Sequence, residues 1–139
     1  MIILDTNVVS EPLKLKPEPA VLQWLDRQAP ETLYLTTVSF SELLAGIEIM
    51  PAGRRRNKLH AAIVDQMLPL FGGRILAFDL AACEFFARVN ARALAAGNPI
   101  SFADGAIAAI ASARGFMLAT RNERDFKGTG VKLINPWTV

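Results

Sequence analysis

The sequence is poor in several residue types that carry chemistry in proteins. Its 139 residues include one cysteine, Cys83, and one histidine, His60. A single cysteine excludes an internal disulfide, and a reducing compartment such as the cytoplasm is the simplest setting. We expect Cys83 to be a small core residue and His60 a surface residue. A single histidine leaves no basis for a His-based triad or a His-rich metal site, and the chain has no glycine-rich phosphate loop.

Long apolar runs are also absent. The longest run without a charged or strongly polar residue, from Gly105 towards Ala113, is about half the ~20 residues that a membrane span needs. No membrane association is therefore expected. The chain begins directly with a predicted strand, so we expect no signal peptide.

Charged residues make up only 20% of the chain, whereas apolar residues make up 52%. This composition excludes intrinsic disorder, and the length predicts one domain over residues 1–139. The net charge is +2 and the pI is about 9.0, which permits an anionic partner without requiring one. The basic run Arg54–Lys58 is either a solvated helix face or a phosphate contact.

Short apolar runs alternate with stretches of helical periodicity. Five runs read as strands: residues 2–4, 33–36, 74–78, 116–119 and 131–134. Helices are predicted around residues 21–25, 38–50, 59–70, 82–93 and 102–114. Strands that alternate with helices predict a three-layer α/β/α fold with a mainly parallel central sheet.

Three acidic residues occupy informative positions in this pattern. Asp5 directly follows the first strand, at the end where open α/β sheets form their ligand sites. Glu42 lies in the first turns of a helix that is apolar nearly all round, and Asp104 is the only charge between Phe102 and Ala113. We therefore expect both side chains to be buried. A buried carboxylate costs several kcal/mol unless it is paired or bound to a cation.

Two interpretations of these acids stay open from the residues alone. Ser39-x-x-Glu42 and Ser101-x-x-Asp104 fit or nearly fit a capping box, and Asp5 is placed to cap the helix after the first strand. The alternative is a hard-cation site, because carboxylates without a His or Cys cluster suit Mg²⁺ or Mn²⁺ rather than Zn²⁺.

Four segments in order carry a resemblance to a known family. They are Asp5-Thr6-Asn7, Ser39-x-x-Glu42-Leu43, Ser101-x-x-Asp104-x-x-Ile107-Ala108 and Ala119-Thr120-Arg121-Asn122-x-x-Asp125-Phe126, followed by Asn135-Pro136-Trp137. Together they resemble a PIN domain, and over the whole chain the sequence is similar to the VapC-type and FitB-like toxins of type II toxin–antitoxin pairs.

The resemblance implies a set of site residues. Asp5, Glu42 and Asp104 fall on the family's acidic, metal-binding positions. The fourth acidic position is filled by either Asn122 or Asp125, because this chain has Asn122 where many members have an acid. Supporting roles fall to neighbours of these acids: Thr120 would orient a ligand or phosphate, Arg121 would reach a phosphate, and Thr6 and Asn7 would fix the backbone.

The resemblance also implies a function. It predicts an endoribonuclease that uses Mg²⁺, or Mn²⁺, and leaves a 5′-phosphate and a 3′-hydroxyl. The alternatives are another Mg²⁺-dependent phosphohydrolase with Asp5 as nucleophile, which Asn7 disfavours, and a non-catalytic PIN-like nucleic-acid-binding module. The expected partners are RNA, a second copy of the chain in a homodimer, and a cognate VapB-like antitoxin. The antitoxin would cover an apolar groove near the N-terminal helices and direct an Arg towards the acids.

Overall fold

The centre of the molecule is a sheet of five parallel strands. The computed structural model describes residues 1–139. The strands are β1 (Ile2–Leu4), β2 (Leu33–Thr36), β3 (Ile75–Leu76), β4 (Met117–Ala119) and β5 (Leu133–Ile134). Their order across the sheet is β3-β2-β1-β4-β5, and Ile2 lies opposite both Leu33 and Met117. The predicted fold class is confirmed, and every strand pair is parallel.

Helices connect the strands. They are α1 (Thr6–Ser10), α2 (Pro19–Asp26), α3 (Thr37–Glu48), α4 (Arg54–Ala61), α5 (Leu68–Phe71), α6 (Leu80–Ala95) and α7 (Phe102–Arg114). A π-helical stretch, Ala62–Met67, joins α4 to α5, and short 3₁₀ turns include Glu11–Leu13 and Glu123–Phe126. The helix predicted from residue 59 begins earlier because the basic run is itself helical. None of the helices combines the length and hydropathy that a membrane crossing requires.

Apolar side chains fill the two spaces between the sheet and its flanking helices. Successive strand residues point to opposite faces, so Ile3 and Leu118 pack with α6 and α7, whereas Leu4 and Ala119 pack with the other helices. These two cores explain the hydrophobic strands, which are covered on both faces.

Of the two capping boxes predicted from the sequence, the structure contradicts the one at α3 and confirms the N-cap at α7. Thr36, not Ser39, caps α3, since its side chain accepts a hydrogen bond from the Ser39 N–H at 3.0 Å. The Ser39–Glu42 capping box is therefore wrong, because Ser39 already lies inside the helix. Ser101 does cap α7 and accepts from the Asp104 N–H at 3.2 Å.

The prediction for Cys83 is wrong, and that for His60 is confirmed. Both side chains are exposed. α6 turns Ala82, Val89 and Ala93 towards the core. Cys83 follows Ala82 by one residue, which rotates it about 100° around the helix and into solvent.

The strand order creates a crevice at the centre of the sheet. From β1 the chain proceeds to β2 and β3 on one side, then crosses to β4 and β5 on the other. Ligands of open α/β sheets bind at such a reversal, beyond the carboxyl ends of the strands. Here the reversal lies between β1 and β4, where the Asp5 N–H donates to the Ala119 carbonyl at 2.9 Å.

Candidate active site

Four acidic side chains face one another at this crevice. Asp5 follows β1, Glu42 lies on the helix after β2, Asp104 lies in the first turn of α7, and Asp125 lies in the turn after β4. Burial raises the pKa of both Asp5 and Asp104, and the charges of neighbouring acids raise it further: Glu42 and Asp125 act on Asp5, and Asp5, Asp125 and Glu42 act on Asp104. The fold therefore gathers acids that are far apart in sequence into one field of negative charge.

Asp5 is the most enclosed of these acids, with 4% of its surface exposed. Oδ1 accepts from the Thr6 N–H at 2.8 Å, which caps α1. Oδ2 accepts from the Thr120 hydroxyl at 2.7 Å and from Asn7 Nδ2 at 3.4 Å. Burial raises the pKa of Asp5, and the hydrogen bonds from Thr120 and Thr6 act against this rise. Capping and presentation of a fixed carboxylate are thus combined in one residue.

Glu42 departs from the prediction of burial. The side chain is exposed, because α3 packs only one face, with Ser39, Leu43 and Ile47, against the core. The opposite face carries Glu42 and is open to solvent, and Ile49, directly after the helix, is 87% exposed. Glu42 is nonetheless held at the site, since its Oε1 accepts from the Thr6 hydroxyl at 2.7 Å.

Asp104 is half-buried at the amino end of α7. Burial and the neighbouring carboxylates Asp5, Asp125 and Glu42 raise its pKa to about 6, and the Ser101 hydroxyl partly counters that rise. The prediction of a poorly solvated acid on an apolar helix is therefore met in part: residues 105–111 of α7 are buried, while Asp104 keeps one side open.

The fourth acidic position involves two exposed residues in the segment after β4. Asp125 is close enough for its charge to raise the pKa of both Asp5 and Asp104. Asn122 contributes its backbone N–H to the Thr120 hydroxyl at 3.0 Å, and its side chain makes no hydrogen bond within the chain. In this arrangement Asp125, rather than Asn122, adds charge to the cluster.

The supporting residues agree with the prediction only in part. Thr120 is fully buried, so it orients the Asp5 carboxylate and not a phosphate in the cleft. Asn7 fixes the backbone as expected, because its Oδ1 accepts from the Arg121 N–H at 3.3 Å. The Arg121 guanidinium is exposed and lies 5.3 Å from the centre of the Trp137 ring. Sequence reasoning missed the Thr6–Glu42 contact, since nothing in the motif shows which hydroxyl meets which acid.

A second buried acid, Glu11, provides a reference for Asp5. It is 4% exposed, it pairs with Lys14 at 2.9 Å, and it accepts from the Glu18 N–H at 3.0 Å. Burial alone would raise the pKa of Glu11, but these contacts lower it below its ordinary value. Asp5 has no lysine or arginine within salt-bridge distance. Of the two, only Asp5 lacks a cation partner.

The donors at this site have the chemistry that a hard divalent cation requires. All are carboxylate oxygens, and the hydroxyls of Thr6 and Thr120 donate to two of them from behind. No three Asp, Glu, His or Cys side chains stand close enough together to ligate a single ion directly. Mg²⁺ commonly uses one or two carboxylates and keeps several waters, so the donor set fits an ion held by two of the acids.

The comparisons with known proteins give the class of the protein. A family model of the PIN domain matches residues 2–132. The chain therefore belongs to the PIN domain family, and the resemblance found in the four segments is confirmed.

Within the PIN domain family, the chain is similar to named toxins and ribonucleases. The chain is 47% identical over 137 residues to the VapC ribonuclease Y4jK of Sinorhizobium fredii, covering 99% of this chain and 98% of the relative. It is 40% identical over 137 residues to the toxin FitB of Neisseria gonorrhoeae, covering 99% of each. Among solved structures, FitAcB of Neisseria gonorrhoeae matches with a TM-score of 0.95 and 40% identity over 100% of both chains.

Proposed function

We propose that this chain is the endoribonuclease toxin of a type II toxin–antitoxin pair, that it acts in the cytoplasm, and that it hydrolyses RNA phosphodiesters with Mg²⁺ or Mn²⁺. The observation that carries the proposal is the state of Asp5. It is a buried carboxylate with no cation partner, faced by three further acids at the topological switch point. The VapC and FitB relatives match over nearly the whole chain and support the same activity.

The residues divide into holding and positioning groups. Asp5 and Asp104 are the residues that would hold the ion, because Asp5 is buried, Asp104 is half-buried, and their charges repel each other when no ion is bound. An ion held by these two residues would supply neutralisation of the phosphate charge and a lower pKa for the attacking water. Thr120 and the Thr6 N–H fix the Asp5 carboxylate in one orientation. Glu42 is exposed, with Oε1 engaged by Thr6, so its other oxygen faces water or substrate.

One cationic residue follows the carboxyl end of β4. Arg121 directly follows Thr120, and its guanidinium rests over the Trp137 ring. An arginine at this edge would contact the RNA phosphate that the acids themselves repel. In the proposed reaction it positions the scissile phosphodiester over Asp5 and Asp104.

The test is cleavage of a fluorescent RNA by the purified chain with and without added Mg²⁺ or Mn²⁺. We expect cleavage only with the ion, with product ends carrying a 5′-phosphate, and full loss on chelation. Asp104→Asn should be inactive, whereas Glu31→Gln should cleave normally, since Glu31 is an exposed acid in the turn before β2 at the opposite end of the strand. Cleavage that persists in excess chelator would refute the metal-dependent assignment.

An apolar groove beside the N-terminal helices is the proposed antitoxin site. A cavity of about 440 Å³ is lined by residues that include Val9, Leu13, Leu22 and Leu25 on one wall and Leu70 on the other. Leu70 is 68% exposed at the edge of this groove. A chain of the solved FitAcB structure, which includes FitB, matches this chain over its full length. We infer that an apolar antitoxin segment fills the groove and directs an arginine towards Asp5, whose missing cation it would supply.

Two leucines of similar exposure test the groove. Leu70→Asp should weaken antitoxin binding at least about tenfold, because it places a charge in an apolar interface. Leu94→Asp is the matched control, since Leu94 is 57% exposed on α6 and lies outside the groove. Equal binding by both variants would place the antitoxin elsewhere. The homodimer remains part of the proposal, and light scattering of the purified chain tests it.

A further inference from the structure

A second cavity, at the opposite end of the sheet from the acid cluster, is lined by basic side chains. It measures about 370 Å³ and lies between α6, the end of α7 and the segment before β5. Met117, the first residue of β4, and Lys132, which precedes β5, line it. Asp5 and Thr120 follow the carboxyl ends of their strands, so this cavity is separated from the acids by the length of the sheet.

Three cations surround the cavity. They are Arg88 and Arg92 of α6 and Lys132, and no acidic residue lines the cavity with them. None of the three has a carboxylate within 4.0 Å, since the ion pairs of the molecule are Lys14–Glu11 and Arg56–Glu48. Cations that converge on one concave surface without a counter-charge attract an anion, and arginine forks match phosphate oxygens in particular.

The position of Arg92 depends on a glycine in the facing segment. Gly130 has φ +84°, and a Cβ atom on it would collide with Nη1 of Arg92. The segment around Gly130 is fixed: the Thr129 hydroxyl donates to the Phe126 carbonyl at 2.7 Å and accepts from the Val131 N–H at 3.3 Å. The Arg92 side chain is exposed, but its guanidinium lies directly against the Gly130 backbone with no side chain in between.

The remaining walls are apolar and partly aromatic. Phe85 and Phe116 are half-buried at the cavity, together with Val89 and Met117. The Arg88 guanidinium lies 5.1 Å from the centre of the Phe85 ring. An inorganic phosphate would use the cations and leave these walls unused, whereas a ligand that joins a phosphate to a flat base would use both.

We propose that this cavity binds the phosphate group of a nucleotide, with the base against the apolar wall. The volume lies in the range of small-ligand sites. The nucleotide comes either from a free nucleoside monophosphate or from a segment of an RNA strand, and the two sources share the same chemistry. The site is independent of the acid cluster and does not rest on the proposed ribonuclease activity.

Calorimetric titration of the full chain with 5′-GMP, without divalent ions, tests the proposal. The acids repel anions under these conditions, so binding reports the basic cavity. We expect saturable binding with a Kd of about 1 mM or below that weakens as salt increases. Arg92→Met combined with Lys132→Met should weaken binding at least about tenfold, because two charge-assisted contacts to the phosphate are lost. Lys58→Met, which removes an exposed cation of α4, should leave it unchanged.

Gly130→Ala provides a test that keeps every charge. We expect it to weaken 5′-GMP binding because the new methyl group displaces the Arg92 guanidinium. If this variant melts much lower than the parent chain, Arg92→Lys takes its place, because it keeps the charge and removes the guanidinium fork. A five-nucleotide RNA titrated into the Asp5→Asn chain, with and without Arg92→Met and Lys132→Met, identifies the source. Binding tighter than that of 5′-GMP that the double substitution weakens indicates an RNA strand, and RNA binding that the double substitution leaves unchanged indicates a free nucleotide. Inorganic phosphate that binds as tightly as 5′-GMP, or 5′-GMP binding that survives the double substitution, would overturn the proposal.

Discussion

Two buried carboxylates in this molecule have opposite environments. Glu11 and Asp5 are each 4% exposed. Glu11 pairs with Lys14, and its pKa falls below the ordinary value. Asp5 receives hydrogen bonds from neutral donors only, and burial together with Glu42 and Asp125 raises its pKa. Burial alone therefore does not distinguish the two residues; the missing counter-charge does.

The presence or absence of a counter-charge distinguishes Glu11, which stabilises the fold, from Asp5, which is available to bind a cation. Glu11 completes its electrostatic contacts within the chain and ties the Glu11–Leu13 turn to the start of α2 through the Glu18 N–H. Asp5 leaves its charge uncompensated, which costs stability that a bound cation or a partner's arginine would restore. Substitutions at the two sites should accordingly separate loss of activity from loss of stability.

The largest effect is expected at Asp5. Asp5→Asn should reduce ribonuclease turnover about 1,000-fold or more, because it removes several kcal/mol of charge stabilisation from the reaction. The same substitution should leave the melting temperature of the ion-free protein unchanged or higher, since it relieves the repulsion from Glu42 and Asp125. Initial cleavage rates and thermal melts on one preparation measure both. A variant that loses activity only because it unfolds would show Asp5 to be a structural acid like Glu11.

Asp104 should show a related effect with a pH signature. Asp104→Asn should lower turnover about 100-fold or more through the loss of one ion-holding carboxylate. In the ion-free protein the raised pKa makes the folded state bind a proton more tightly than the unfolded state, so Asp104 reduces stability as pH rises from about 4 to about 6. The penalty is complete above that window and absent below it.

Melting curves across that pH window test the assignment. The parent chain should lose stability relative to Asp104→Asn as pH rises, and added Mg²⁺ should reverse the difference. Glu11 does not obscure this result, because its lowered pKa acts below its ordinary value of 4.5 and is common to both proteins. Parallel melting profiles at every pH would leave Asp104 as a capping residue of α7 only.

The sequence predicted the fold well where one rule decided the outcome. Short apolar runs indicated the strands, and apolar stripes that end at glycine indicated α6 and α7. The alternation of strands and helices predicted a parallel sheet. The helical pattern of apolar residues did not show how much of the α3 surface would be buried. Its apolar residues run nearly all round, but only one layer of protein lies against it, so Glu42 and Ile49 reach solvent.

Contacts across the site could be anticipated only in part. Motif spacing identified which residues lie at the carboxyl edge of the sheet. It did not show that Thr120 turns inward to Asp5, since a hydroxyl at a strand end satisfies either a carboxylate or a ligand. No sequence motif predicted the basic cavity, because Arg92 comes close to Gly130 and Lys132 only where a loop packs on α6.

Thr120 supplies the next prediction. Thr120→Val keeps the shape of the side chain and removes the hydroxyl that fixes Asp5 Oδ2. Loss of a supporting hydrogen bond behind a metal-holding residue typically costs about 10- to 100-fold in activity or metal affinity. Thr120→Ser should retain most of the activity, because it preserves the donor. Equal losses in the two variants would trace the effect to packing of the methyl group in the buried crevice.

Glu11 should respond in the opposite sense to Asp5. Glu11→Gln leaves the acid cluster intact, weakens the contacts to Lys14 and the Glu18 N–H, and removes a charge that acts on Arg121. We expect a loss of about 1–3 kcal/mol in the free energy of unfolding, as for hydrogen bonds to charged groups, and normal cleavage well below the melting temperature. Urea denaturation measures the first quantity. A loss of turnover in the folded variant would mean that Glu11 also serves the active site.

The smallest effect should come from the fourth acidic position, and it decides between two residues. Asp125 is exposed, yet its charge raises the pKa of Asp5 and Asp104, whereas the Asn122 side chain makes no hydrogen bond within the chain. Interactions of exposed charges amount to about 0.2–1 kcal/mol, so Asp125→Asn should lower turnover only about two- to fivefold. It should also lower the pKa of Asp104, which NMR titration of its side chain measures without any RNA. Asn122→Ala should change neither quantity. If Asn122→Ala instead lowers turnover more than Asp125→Asn, the amide holds a ligand directly, and Asp125 serves only to close the turn before Phe126.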